Sequence, residues 1–185
     1  MPARDFKLRQ LFLSALLLAF IAGCTTTEDP FIAAAAKGDT RTLKSMLDSG
    51  TNVNSRNTDG KSALMAAANQ NQENAARLLL GKGADVNAKD NAGYTTLMAA
   101  SAGGNAVIVQ GILARGANVN EKDKDGTTAL LAAAKQGRTS IVDMLLTKGA
   151  DLNARDNEGK TALWYAKKHN YVRLTSFLEK AGATE

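Results

Sequence analysis

From about residue 31 onward, apolar and polar positions return with a step of 33 residues. Leu64, Leu97, Leu130 and Leu163 keep this step, and so do Asn54, Asn87, Asn120 and Asn153. Within each unit two apolar runs have helical spacing. The first is alanine-rich (Ala66-Ala67-Ala68, Ala132-Ala133-Ala134) and suits close helix approach. The second is aliphatic: Leu78-Leu79-Leu80, Val107-Ile108-Ile112-Leu113 and Ile141-Val142-Met144-Leu145-Leu146. Ser62, Thr95, Thr128 and Thr161 precede the first run and are predicted to cap its helix, which in the second unit spans residues 63–69. Gly50, Gly83, Gly116, Gly149 and Gly182 end the second helix, and an extended segment turns back near Gly60, Gly93, Gly126 and Gly159. Between the helices one register alternates Gly38, Asn71, Gly104, Gly137 and Asn170. Glycine and asparagine share tolerance of positive φ, so the exchange predicts a left-handed, helix-ending turn.

Each unit can hide only one face by itself, so the units must stack to build a core. The stretches GKSALMAAANQNQENAARLLLGKGADVNAKD, GYTTLMAASAGGNAVIVQGILARGANVNEKD and GTTALLAAAKQGRTSIVDMLLTKGADLNARD resemble the ankyrin repeat, over about residues 31–183. The resemblance implies an all-α solenoid of about five helix-turn-helix units joined by β-hairpin turns, occupying residues 31–185. The first unit starts near Phe31 without a hairpin of its own. The family's Thr-Pro-Leu-His box is altered: Ala63, Thr96, Ala129 and Ala162 replace the proline, and Met65, Met98, Leu131 and Trp164 the histidine. The hydrogen bonds of that box are therefore not expected in their usual form. Gly111 falls inside a helix at a cost of about 0.5–1 kcal/mol against alanine, which predicts a tight helix contact.

The first thirty residues follow another pattern. Arg4, Lys7 and Arg9 precede an apolar run over residues 11–22, which is 12 residues long. As a helix it would reach about 18 Å, short of the roughly 20 residues a membrane span needs. A basic start, a short apolar run and small residues at its end describe a secretory signal. Ile21-Ala22-Gly23-Cys24 resembles the bacterial lipoprotein processing motif. The resemblance implies a signal peptide over residues 1–23, cleavage before Cys24, and acyl chains on its thiol and new amino group. Residues 24–30 then form a lipidated cysteine and short tether, at most about 20 Å from Thr25 to Pro30. By the same resemblance Thr25, where aspartate would favour the inner membrane, points to the outer membrane. The expected location is the cell envelope, facing the periplasm.

Composition changes this picture in three places. The 185 residues hold one cysteine and one histidine, which excludes an internal disulfide and a histidine-rich metal site. The net charge of +5, with a pI near 9.4, invites a nucleic-acid reading. Loss of residues 1–23 removes three bases and one acid and leaves +3, and export separates the protein from the genome, so that reading falls away.

Chemical motifs are near misses. Gly60-Lys61-Ser62 and Gly159-Lys160-Thr161 echo a phosphate loop, but the required earlier glycines are Ser55 and Ala154. Glu121, Asp123 and Asp125 echo a calcium loop whose acidic twelfth position is Ala132. His169 stands alone near the last turn. An enzyme, a cofactor, a metal, a nucleic acid and a small-molecule substrate are not expected.

What remains is a surface. In ankyrin-like stacks the hairpin tips and the exposed side of the first helices form a concave face that binds proteins. By register, the resemblance places Arg56, Asp59 and Lys61 of the second unit there, with Lys89, Asn91 and Tyr94 of the third. The fourth unit adds Lys122, Lys124, Asp125 and Lys135, and the fifth Arg155, Glu158, Lys160 and Lys168. The basic excess suits a protein partner with an acidic surface, and Tyr94 is the aromatic anchor candidate. Trp164, Tyr165, Tyr171 and Phe177 are read mainly as the core that closes the stack. The function expected is a membrane-tethered protein that binds and inhibits one partner, concretely an immunity protein against a toxic secreted effector such as a phospholipase. The alternatives are an accessory to a periplasmic stress enzyme such as catalase, or a structural envelope scaffold.

Overall fold

A computed structural model describes residues 29–185, so the signal segment, Cys24 and nearly all of the tether lie outside the described residues. Among the described residues ten helices follow one another in five antiparallel pairs. They are α1 (Pro30–Lys37) and α2 (Thr40–Asp48), α3 (Ala63–Asn69) and α4 (Glu73–Gly81), α5 (Thr96–Gly103) and α6 (Ala106–Leu113), α7 (Ala129–Lys135) and α8 (Thr139–Thr147), and α9 (Ala162–Lys168) and α10 (Val172–Lys180). No extended strand forms among the described residues. Two isolated bridges, Arg56 to Ser62 and Lys89 to Thr95, mark hairpins instead.

The helix starts follow from side-chain chemistry. The hydroxyls of Ser62, Thr95, Thr128 and Thr161 accept the N–H of Met65, Met98, Leu131 and Trp164, satisfying a donor that the first turn leaves free. Met98 replaces part of the altered box, since its sulfur accepts the Thr95 N–H at 3.3 Å. The expected left-handed register is present at all five turns, with φ of 74°, 57°, 94°, 65° and 56° at Gly38, Asn71, Gly104, Gly137 and Asn170.

Stacking builds one continuous core. Leu64, Leu97, Leu130 and Leu163 are buried on successive first helices, and Phe31 fills the same register in the first unit. Leu79, Ile112, Leu145 and Leu178 do so on the second helices. Each such aliphatic side chain contributes about 1.5–3 kcal/mol when fully buried. The alanines let the first helices approach closely. The approach is close at Gly103, where a Cβ would lie 2.5 Å from the Ala68 carbonyl oxygen and 2.8 Å from Asn71 Oδ1. Gly111 has a milder reason: a Cβ there would meet Leu80 Cδ1 of the preceding unit at 3.3 Å.

Polar ladders run along the stack beside the core. The Oδ1 atoms of Asn54, Asn87, Asn120 and Asn153 each accept a backbone N–H of the next unit, from Asp85, Asn118, Asp151 and Thr184. Successive hairpin tips are joined as well: the N–H groups of Asn91, Lys124 and Asn157 donate to the carbonyls of Asp59, Ala92 and Asp125. Asn71 donates its side-chain amide to the Gly103 carbonyl at 2.8 Å.

Two glycine substitutions separate packing from backbone entropy. Gly103→Ala is expected to destabilise the chain by at least about 2 kcal/mol, because the new methyl meets a fixed backbone carbonyl. Gly81→Ala meets no atom within 4 Å at a helical position and is expected to stabilise by about 0.4–1 kcal/mol. Denaturant titration of both variants checks the contrast.

Candidate functional site

The hairpins and first helices form one side of the stack. Each of the last three hairpins is closed by an aspartate: Oδ1 of Asp90, Asp123 and Asp156 accepts the N–H two and four residues on. Asn57 does the same in the second unit through the N–H groups of Asp59 and Lys61. This clamp holds Asp59, Ala92, Asp125 and Glu158 at the solvent-exposed tips.

The sequence candidates then divide by what they touch. Arg56, Lys89, Lys122 and Arg155 share one register, and each reaches toward the next unit. Arg56 Nη1 donates to the Lys89 carbonyl at 2.9 Å, and Lys122 Nζ to the Arg155 carbonyl at 2.9 Å. Lys89 pairs with Glu121 at 2.7 Å and holds its carboxyl below the usual range. Arg155 donates to the Gly159 carbonyl at 2.8 Å and to the carbonyl of Glu185. These four cations remain exposed, yet each also bonds within the fold. Asn91 likewise donates its amide to the Thr58 carbonyl at 2.8 Å.

A second group faces outward more freely. Among the described residues no ion pair or hydrogen bond engages the ammonium groups of Lys124 or Lys168. Lys61 meets Asp59 at 3.8 Å, and Lys160 pairs with Glu158. Both pairs are surface ion pairs, worth about 0–1 kcal/mol. Lys135 is half-buried, donates to Thr127 Oγ1 at 3.1 Å and lies 4.8 Å from the Tyr165 ring centroid. Lys160 and Lys168 sit over the Trp164 ring at 4.6 and 4.8 Å. Trp164 is only partly buried, and the ammonium groups of these two lysines cover its ring.

Asp90 and Asp156 were not singled out from the sequence, and Asp123 only as part of the failed calcium loop, although with Asn57 they keep the 33-residue step that could have found them. Asp156 has a further partner, the Tyr165 hydroxyl at 2.6 Å. Burial pushes the Asp156 carboxyl up, but the Tyr165 hydroxyl and the Lys160 and Glu158 N–H groups outweigh it and hold the group below its ordinary value. Tyr94 is half-buried and donates its hydroxyl to the Met98 carbonyl at 3.2 Å. Burial first, then the charges of Asp123 and Asp90, push its phenol up to about 12.

This geometry, helix pairs with clamped hairpins stacked at a fixed step, agrees with the family comparison. The model described as ankyrin repeats (3 copies) matches residues 31–123 and, again, 97–184. The chain belongs to the ankyrin-repeat family. No curated protein is similar enough to match it. Ankyrin repeats are typically non-enzymatic modules for protein–protein interaction, and the family match points to that role for this repeat protein.

The Asp156 environment has a pH signature. A depressed carboxyl stabilises the fold above its unfolded pKa, and that contribution is lost as pH falls through the lower folded value. Asp156→Asn is expected to cost about 1–3 kcal/mol near neutral pH. The difference from wild type should shrink on acidification below the ordinary carboxylate value, as followed by thermal melts across pH.

Proposed function

We propose that this ankyrin-repeat protein is anchored to the bacterial envelope through lipid on Cys24, faces the periplasm, and binds one specific protein through its hairpin side. The observation that carries the partner reading is the set of lysines on that side without strong internal partners. Lys124 and Lys168 are exposed and unpaired among the described residues, and Lys160 and Lys135 lie beside them on the same units. An acidic partner surface complements this set and gains both encounter rate and register from it. A tether of at most about 20 Å keeps the site close to the bilayer. Absence of recognisable chemistry in the sequence favours masking over turnover. The concrete form of the reading is an immunity protein that occludes a toxic, envelope-attacking effector, and the outer membrane is its favoured location because Thr25 follows the cysteine.

Two experiments address separate links. In cells fed labelled palmitate, the wild-type protein should carry label and Cys24→Ala should lose it. Label retained without Cys24 overturns the anchor. Affinity capture from the native envelope should recover one stoichiometric acidic partner, and Lys124→Glu combined with Lys168→Glu should weaken capture about tenfold or more. These positions are chosen over Lys122, whose ammonium supports the next hairpin. Capture unchanged by the reversal refutes the lysine site. Deletion of the gene should sensitise cells to their siblings, and full resistance would refute the immunity role.

A further inference from the structure

The hairpin side is not uniform in charge. Its C-terminal half carries Lys124, Lys135, Lys160 and Lys168 beside the tip acids Asp125 and Glu158, while at its N-terminal end three acids and one base line a groove of about 660 Å³. Among the described residues no hairpin tip precedes that of the second unit, and α1 borders the groove on that side. Ile32, Ala33 and Ala36 of α1 and Met65 and Ala66 of α3 line it, and Tyr94 joins them. Asp29, Asp59 and Asp90 also line it, against the single base Lys61.

These carboxylates have capacity to spare. Asp29 uses Oδ1 for the N–H groups of Phe31 and Ile32, and Asp90 uses Oδ1 for those of Ala92 and Tyr94. Their Oδ2 atoms have no partner among the described residues, and Asp59 is met only loosely by Lys61 at 3.8 Å. A groove of this size falls within the roughly 300–1,000 Å³ of ligand pockets. Its apolar lining suits an alkyl stem, and its acids and tyrosine suit a cation.

We propose that the groove is an anchoring pocket for one arginine or lysine of the partner. The occupant is a protein segment with segregated charge, its acidic part over Lys124 and Lys168 and its basic side chain in the groove. The stem lies against Met65 and Tyr94, and the head meets Asp59 and Asp90. A uniformly acidic surface would be repelled at this end. Arginine is favoured, because its planar guanidinium stacks on a tyrosine ring and engages carboxylates in pairs. This inference rests on the reading of the hairpin side as the partner surface, and fixes the polarity and direction in which the partner lies.

The probe is a random-peptide display library selected on the full chain, followed by calorimetry with synthetic copies of the enriched peptides. The expected peptides carry an arginine or lysine separated from a cluster of aspartate or glutamate. Asp59→Asn combined with Asp90→Asn keeps the side-chain oxygen that clamps the third hairpin, so the fold is retained and circular dichroism verifies it. This variant should weaken those peptides about tenfold, and replacing the peptide's base with norleucine should weaken them equally and non-additively. Lys124→Gln with Lys168→Gln should weaken the same peptides through their acidic part. Enriched peptides without a base, affinity unchanged in the aspartate variant, or no enrichment each overturn the anchoring pocket. Peptides sensitive to the lysine variant alone leave the partner surface standing without the pocket. Insensitivity to both variants removes the two together.

Discussion

The structure depends on a contact that no single unit can make for itself. A pair of helices of seven to nine residues each leaves one apolar face and several backbone donors uncovered. Helices this short are marginal when isolated, so their stability comes from neighbours. Leu79, Ile112 and Leu145 supply the apolar part of that contact, and Asn54, Asn87, Asn120 and Asn153 the polar part, by taking a backbone N–H from the next unit. Both parts recur at one step, and a unit of different length would misplace them together. The regularity of the glycines follows from this demand on register.

Much of this was legible in the sequence because the determining interactions are local or strictly periodic. Ser62, Thr95, Thr128 and Thr161 cap helices through a neighbour three residues away, and the left-handed turns need a residue type that can adopt them. The role of the asparagine register was not legible, since its partners lie in the following unit, 31 residues on. The tightness at Gly103 was missed for the same reason: it depends on the Ala68 carbonyl of a neighbouring helix.

The interaction surface was only partly legible. Register places hairpin residues on one side, but it does not say whether a charge is spent within the fold. Arg56 and Lys122 carry the same formal charge as Lys124 and Lys168, yet the first two span to the next hairpin and the latter two do not. The groove at the N-terminal end is bounded by α1 and the hairpin of the second unit, an adjacency that register alone does not show.

The aspartate clamp carries a consequence for how such a surface can change. Asn57, Asp90, Asp123 and Asp156 hold the hairpins by bonds to backbone N–H groups, which any non-proline residue at the bonded positions offers equally. The tip residues Asp59, Ala92, Asp125 and Glu158 already include a small apolar side chain and acids of two lengths on one backbone shape. Maintenance of the scaffold and choice of ligand are thus written in separate alphabets along the same chain, and mutation can revise the second while leaving the first intact.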